Sequence, residues 1–320
     1  MKPHQRYSLI IERQRNFHWG DQYTPSVLAQ VSEAPRGSRV SRLVSSKLGR
    51  NLHALSSPER LFIQLALHHP RLFDLHEQKM LSPVPTVHPL YGHPLTRGKF
   101  LPPVVGTLEI AESIGFEHFA ICVTDEDGAR NWHPFPYQGD LLLYLTSTDG
   151  VPYAINWTIK STQEDFAERR RSKLKTRPQL KKDRDHAELR FRLEEEYYER
   201  IGIRTVQLSP ELISPVARGN LDLLWAVHGR ELTLDPLLLA DYSSDISEAV
   251  RVGDPVAEVA IRYGARWGHR DQFLTRIYHD IWYRNLLVNL LRPLQIDHPL
   301  LSQGGDLIVE YASLFVGPQP

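Results

Sequence analysis

This sequence of 320 residues holds a single cysteine, Cys122, only two methionines and no net charge. A lone thiol excludes an internal disulfide framework and any thiol-rich zinc site, and points to a reducing, cytoplasmic compartment. No apolar run approaches the roughly 20 residues that a membrane-spanning helix needs. The stretch from Met1 to Ser8 also lacks the apolar core of a signal peptide. The chain is therefore expected to work in the cytoplasm, off the membrane. Its 38 basic residues are balanced by 38 acidic ones. Non-specific affinity for DNA grows with the number of phosphates neutralised, so such a chain is expected to grip naked duplex weakly.

The charge that is present is uneven. Arg169, Arg170, Arg171, Lys173 and Lys175 open a basic block that runs to Arg184 and is interrupted by Pro178. A charge run is most often a solvated face; beside a phosphate-cutting centre it becomes a candidate for contact with the DNA backbone.

Three residues carry candidate chemistry. Ser56-Ser57-Pro58-Glu59 reads as a helix start, with a capping serine, a proline in the first turn and an apolar stripe from Leu61 to Ala66. Asp140 to Thr146 and Val151 to Lys160 are strand-like runs joined by the turn signal Ser147-Thr148-Asp149-Gly150. Folding that hairpin places Asp140 roughly opposite Trp157 and Thr158. The two-residue strand period puts Thr158 and Lys160 on one face. Asp140 and Lys160 then meet at the same end. Each alone has a plainer reading: Glu59 as a partner of the helix dipole, Asp140 as a turn residue, Lys160 as a solvated strand end. Together, two carboxylates and a lysine at a sheet edge suit Mg²⁺-assisted cleavage of a phosphodiester, with the lysine orienting water and offsetting developing charge. Nucleases with this logic usually carry Glu or Gln where Thr158 stands. The main-chain carbonyl of Ile159 is therefore expected to join Glu59 and Asp140 as a metal ligand.

Several separated segments between about Gly37 and Trp225 share a further pattern. They are Ser46-Lys47-Leu48-Gly49-Arg50 followed by Ser57-Pro58-Glu59-Arg60, the pair Glu77-Gln78, and Asp140 with Lys160. Leu193 to Ile203, with Glu194, Tyr197, Tyr198, Gly202 and Ile203, and Ser214 to Leu221 complete it. In these the chain resembles the TnsA family, the endonuclease subunit of heteromeric transposases, which cuts the 5′ ends of the transposon while a separate transposase subunit cuts the 3′ ends. The resemblance implies an α/β restriction-endonuclease-like (PD-(D/E)xK) nuclease domain with Mg²⁺ as cofactor. It also implies Glu194 as a fourth active-site residue, transposon-end DNA as substrate, and the 3′-cutting transposase subunit and a regulatory AAA+-type ATPase as partners. Departures are Thr158, Tyr198 in place of tryptophan, and Gly139 where proline is common. Other readings stay open: a restriction- or repair-type nuclease of the same fold, or a catalytically weak subunit bridging transposase and ATPase.

Three regions are expected. Residues 1–36 read as an N-terminal arm ending in a linker at Pro35 to Ser38, and residues 37–208 as the endonuclease domain. His88 and His93 lie in a proline-rich stretch of that domain and are expected to be loop histidines. Residues 209–320 read as a mostly helical, winged-helix-like domain. Its helix from His269 would carry Arg270 and Arg276, and Leu286 to Ile296 would supply a strand and wing. In the family this region is associated with the ATPase, so docking is the expected role.

Overall fold

Leu141 to Leu145 shows no polar alternation, so neither face of this run can be wet. In the computed structural model all five of its residues are at most 1 % exposed, and the strand they form is an inner strand of the principal sheet. The structure describes residues 2–16, 18–35, 37–124, 128–166 and 176–317. The described chain runs through α1 (Pro3–Gln14), β1 (Ser41–Ser45), β2 (Arg50–Ala54), α2 (Ser57–His68), β3 (Leu72–Glu77) and β4 (Met80–Leu81). It continues with α3 (Thr107–Ile114), β5 (Ala120–Thr124), β6 (Arg130–Pro134), β7 (Tyr137–Gln138), β8 (Leu141–Thr146) and β9 (Pro152–Ile159). Then come α4 (Arg177–Glu199), β10 (Arg204–Leu208), α5 (Pro215–His228), α6 (Pro236–Val252), α7 (Val256–Trp267), α8 (Arg270–Trp282) and α9 (Leu307–Glu310). This is a mixed α/β protein, and no helix among the described residues is long and apolar enough to cross a membrane.

The principal sheet is mixed, in the order β10-β9-β8-β3. The β8–β9 hairpin is antiparallel with Leu141 opposite Trp157, so Asp140 stands one step beyond, at the level of Thr158. β10 runs parallel to β9. Leu142, Tyr144 and Ala154 share one face of the sheet and join a core with Leu193, Tyr197 and Tyr198 of α4 and Ile110 of α3. On the opposite face, Trp157 meets Phe62 of α2 edge-on at 5.9 Å and Phe315 at 5.2 Å. Strand alternation then sends Asn156, Thr158 and Lys160 to the face that α4 covers.

The chain divides into two compact units, one of residues 1–63, 71–212 and 315–320, the other of residues 64–70 and 213–314. These differ from the three expected regions at both ends. Residues 1–36 are no free arm: α1 buries Ile10 and Gln14, and Tyr23 and Val27 are core residues of the first unit. The segment shows no sustained apolar period because α1 buries only Ile10 and Gln14. Phe315 also belongs to the first unit, held by the Trp157 ring and by a hydrogen bond from the Tyr153 hydroxyl to its carbonyl, 3.0 Å. A domain of residues 209–320 would have taken that core residue away from the sheet it covers.

The second unit is helical, and α7 and α8 form a helix–turn–helix around Gly268 and His269, both at positive φ. Residues 286–296 form no strand and no wing. Leu286, Val288 and Leu290 are buried with a period of two, but among the described residues no strand pairs with them. Asn220 pins the segment instead, donating to the carbonyls of Leu290 and Arg292 at 2.9 and 2.7 Å and accepting from the amide of Leu294 at 3.1 Å. Arg276 is tied into the unit's own framework: its Nε donates to the buried Asp280 at 3.0 Å and to Ser243 at 2.9 Å. Ile277, Ile281 and Trp282 lie inside the unit's own core.

Candidate active site

Glu59 sits in the first turn of α2 and plays the plain role expected of an acid there. Its amide donates to Ser56 Oγ at 3.2 Å, the Ser56 hydroxyl donates to Glu59 Oε1 at 2.9 Å, and the amide of Leu55 donates to Oε2 at 2.9 Å. These bonds satisfy amides that a helix start leaves without partners. A further bond goes beyond capping. Gln78 Nε2 donates to the same Oε2 at 2.9 Å, while the Gln78 amide donates to the carbonyl of Asp140 at 2.9 Å. One residue thus ties the acid on α2 to the acid that opens β8.

Gln78 achieves this in the left-handed region, at φ 44°. Residues other than glycine enter that region at a cost of about 1–2 kcal/mol. The usual order of substitutions should therefore reverse here. Gln78→Gly is expected to be more stable than Gln78→Ala by about 1 kcal/mol, read from urea midpoints of the two variants; equal midpoints, or a more stable alanine, would remove the strain argument.

Asp140 is half-buried at the strand end. Its Oδ2 accepts from the amide of Ile159 at 2.6 Å and lies 3.9 Å from Lys160 Nζ. Lys160 is partly exposed, and its own amide is paired to the carbonyl of Leu208 on β10 at 2.9 Å. Glu194 is buried on α4. Its Oε1 accepts from Thr158 Oγ1 at 2.8 Å and Asn156 Nδ2 at 2.9 Å, and its Oε2 faces Arg190 Nη1 at 3.4 Å. Thr158, where nucleases of this logic place an acid or amide, thus reaches a carboxylate delivered by the neighbouring helix. Gly139 lies against this group: a Cβ there would crowd Asn156 Oδ1 at 3.3 Å and meet Glu194 Oε1 at an ordinary 3.5 Å.

These residues line one cavity of about 770 Å³, with Glu59, Asp140, Thr158, Ile159, Lys160 and Glu194 on its wall. Burial, reinforced by the nearby Asp140, pushes the Glu59 carboxyl up to about 7. Burial also raises Asp140, opposed by the positive charge of Lys160 and reinforced by Glu194. Two carboxylates that resist ionising beside each other are a site that a cation relieves.

No protein-family model matches the chain, and comparison with curated proteins gives no match.

Among the described residues no three His, Cys, Asp or Glu side chains form a group able to hold a metal ion. The donor set is leaner, two carboxylates with the main chain of Ile159 alongside, which suits Mg²⁺ because that ion keeps several waters and takes one or two carboxylates. Gln78 Oε1, buried beside Glu59 without a hydrogen-bond partner, is a further acceptor for a hydrated cation. The residues present therefore fit the ion.

The structure places Glu59, Asp140, Ile159, Lys160 and Glu194 on the wall of one cavity. Arg169, Arg170, Arg171, Lys173 and Lys175 lie outside the described residues. The loop histidines have structural partners: His88 contacts the carbonyl of Ile201 at 3.3 Å, and His93 accepts from the amide of Leu95 at 3.2 Å. Sequence reasoning missed the bridging role of Gln78 and the presence of Arg190 on the cavity wall. The first had a signal in the adjacent Glu77-Gln78 pair. The second had one in its place a helical turn before Glu194.

Proposed function

We propose that this chain is a Mg²⁺-dependent DNA endonuclease of the restriction-endonuclease-like, PD-(D/E)xK class, acting as the 5′-end-cutting subunit of a heteromeric transposase. The observation that carries the reading is the meeting of Asp140 and Lys160 at adjacent strand ends with Glu59, through Gln78, at the same edge. Glu59, Asp140 and the Ile159 carbonyl would hold the ion. The bound ion supplies charge neutralisation at the phosphate and a water of lowered pKa. Lys160 orients the attacking water beside Asp140 and offsets charge on the phosphoryl oxygens. Glu194 keeps Thr158 and Asn156 fixed beneath them. Hydrolysis forms one bond from water oxygen to phosphorus and breaks one from phosphorus to a sugar oxygen.

The resemblance to the TnsA family supports the transposase setting, and the balanced net charge supports a nuclease that partners deliver to DNA in the cytoplasm. The helical unit would dock the regulatory AAA+-type ATPase. Its surface carries the exposed apolar side chains Leu237, Ile261 and Trp267. The deciding experiment combines the purified chain with its cognate transposase, transposon-end duplex and Mg²⁺, and follows each strand separately. Cutting of the 5′ strand only in the full mixture supports the proposal. Cutting by the chain alone favours a restriction or repair enzyme, and assembly without cutting favours a bridging subunit.

Metal capture should depend on pH with a defined sign. A carboxyl raised to about 7 is protonated below that pH, and a proton competes with the ion. Mg²⁺ affinity, read as the rise in melting temperature on adding the ion, should be full at pH 8. It should fall about tenfold per unit below pH 7 if one proton is displaced. The same raised pKa makes ionised Glu59 a cost to folding, so the metal-free protein should lose stability as pH rises from the ordinary carboxyl range to about 7. Asp140→Asn should abolish the Mg²⁺-dependent shift. A shift of equal size at pH 6 and pH 8 would contradict the assignment of Glu59.

A further inference from the structure

The cavity holds more acid than a phosphodiester tolerates. Glu59, Asp140, Asp165 and Glu194 line it, against the cations Lys160 and Arg190. A bound dication would offset part of that charge at one end. Lys160 is directed toward Asp140, 3.9 Å away.

Arg190 is placed differently. Its guanidinium lies over the Tyr137 ring, 4.4 Å from the centroid. Nη1 reaches Glu194 at 3.4 Å and Nη2 reaches the carbonyl of Gln138 at 3.3 Å. Both contacts are long for charge-assisted hydrogen bonds. A guanidinium has five N–H donors, so these two leave donors for a further acceptor, and the side chain keeps 24 % of its surface exposed. Stacking on an aromatic face fixes the plane of the group and leaves its edges for hydrogen bonding. A planar fork of fixed charge pairs with two oxygens of one phosphate, which the point charge of a lysine cannot do. His186, one helical turn earlier on α4, lines the same cavity, so the helix face that carries Glu194 continues along the opening.

We propose that Arg190 is the phosphate-binding residue of this site, clamping the non-bridging oxygens of the substrate strand's backbone while Glu194 and Tyr137 hold its guanidinium in register. This deepens the endonuclease reading and rests on it for the identity of the substrate. The plainer role, a strut between α4 and β7, predicts a loss of stability without a change in ionic binding.

The test measures binding of a short DNA duplex to the full-length chain without metal, by fluorescence anisotropy over a range of low salt concentrations. Arg190→Gln is expected to weaken binding about tenfold and to flatten the dependence of log affinity on log salt by about 0.9, the loss of one phosphate contact. Glu194→Gln, which frees the guanidinium but keeps its charge, should leave that slope unchanged or steeper. Arg190→Lys should keep the slope and lose affinity several-fold, and it decides the matter should Arg190→Gln fail to fold. An unchanged slope in Arg190→Gln, equal flattening in Glu194→Gln, wild-type affinity in Arg190→Lys, or no salt-dependent binding by the wild-type chain would each overturn the proposal. Cleavage assayed on the same duplex with partners and Mg²⁺ separates the two ideas. Flattened binding without cutting keeps the phosphate site and removes the endonuclease reading, whereas cutting with unchanged slopes does the reverse.

Discussion

Asp140→Ala is expected to lower the proposed 5′-strand cleavage by about three orders of magnitude or more, the scale on which single groups that act on transition-state charge are felt. The fold should survive. Asp140 is half-buried at a strand end, and the bond its Oδ2 accepts from the amide of Ile159 is the main local loss. The Asp140 carbonyl that receives the Gln78 amide is untouched, so the tie between α2 and β8 remains. Three measurements separate chemistry from structure: strand cleavage in the assembled system, the melting temperature without metal, and its shift on adding Mg²⁺. Cleavage and shift should vanish together while the metal-free melting temperature moves little. Cutting at the wild-type rate would sink the site assignment, and Ca²⁺ in place of Mg²⁺ should permit DNA binding without cutting.

Glu77→Ala should be the most destabilising single change near the site, by about 3–5 kcal/mol, because it strands a buried charge. Glu77 is fully buried and Arg50 is 5 % exposed at the side chain. Their pairing is bidentate, with Nη1 to Oε1 at 2.8 Å and Nη2 to Oε2 at 2.9 Å, and the amide of His53 adds a third bond at 3.0 Å. Total stability of a domain is only about 5–15 kcal/mol, so the loss should be plain in urea denaturation at pH 7. The paired replacement Arg50→Met with Glu77→Leu removes both charges and should recover most of it, since the penalty lies in the unpaired partner rather than in the absence of the pair. A double variant as unstable as the single one would show that the His53 bond or local packing matters more. Glu77 directly precedes Gln78, so this pair also anchors the residue that joins Glu59 to Asp140.

Much of the site was legible because its central geometry is local. The turn at Ser147 to Gly150 and the period of a strand set Asp140 against the end of β9, and the observed register agrees to within one residue. The start of α2 was equally readable from Ser56 and Pro58. Glu194 was harder. Three consecutive glutamates, Glu194, Glu195 and Glu196, offer themselves on α4, and only packing of Leu193, Tyr197 and Tyr198 into the sheet turns the first toward Thr158. The Glu77-Gln78 pair marked the position, but not the bridge, which depends on a left-handed backbone that the residue type of Gln78 does not announce. Residues 286–296 show the converse failure: their period of two was real, but a strand requires a neighbour.

From sequence alone came the start of α2, the β8–β9 hairpin and its register, the single-thiol chemistry and the candidacy of Glu59, Asp140 and Lys160. Capping, turn chemistry and side-chain period act over a few residues, and so can be read from those residues. Tertiary structure decided that α1 and Phe315 belong to the first unit, that Gln78 joins the two acids, and that Glu194 rather than its neighbours serves Thr158. It also decided that Arg190 faces the cavity. Each of these depends on apolar surfaces far apart in the chain finding one another, and burial, not local propensity, selects which polar group comes along.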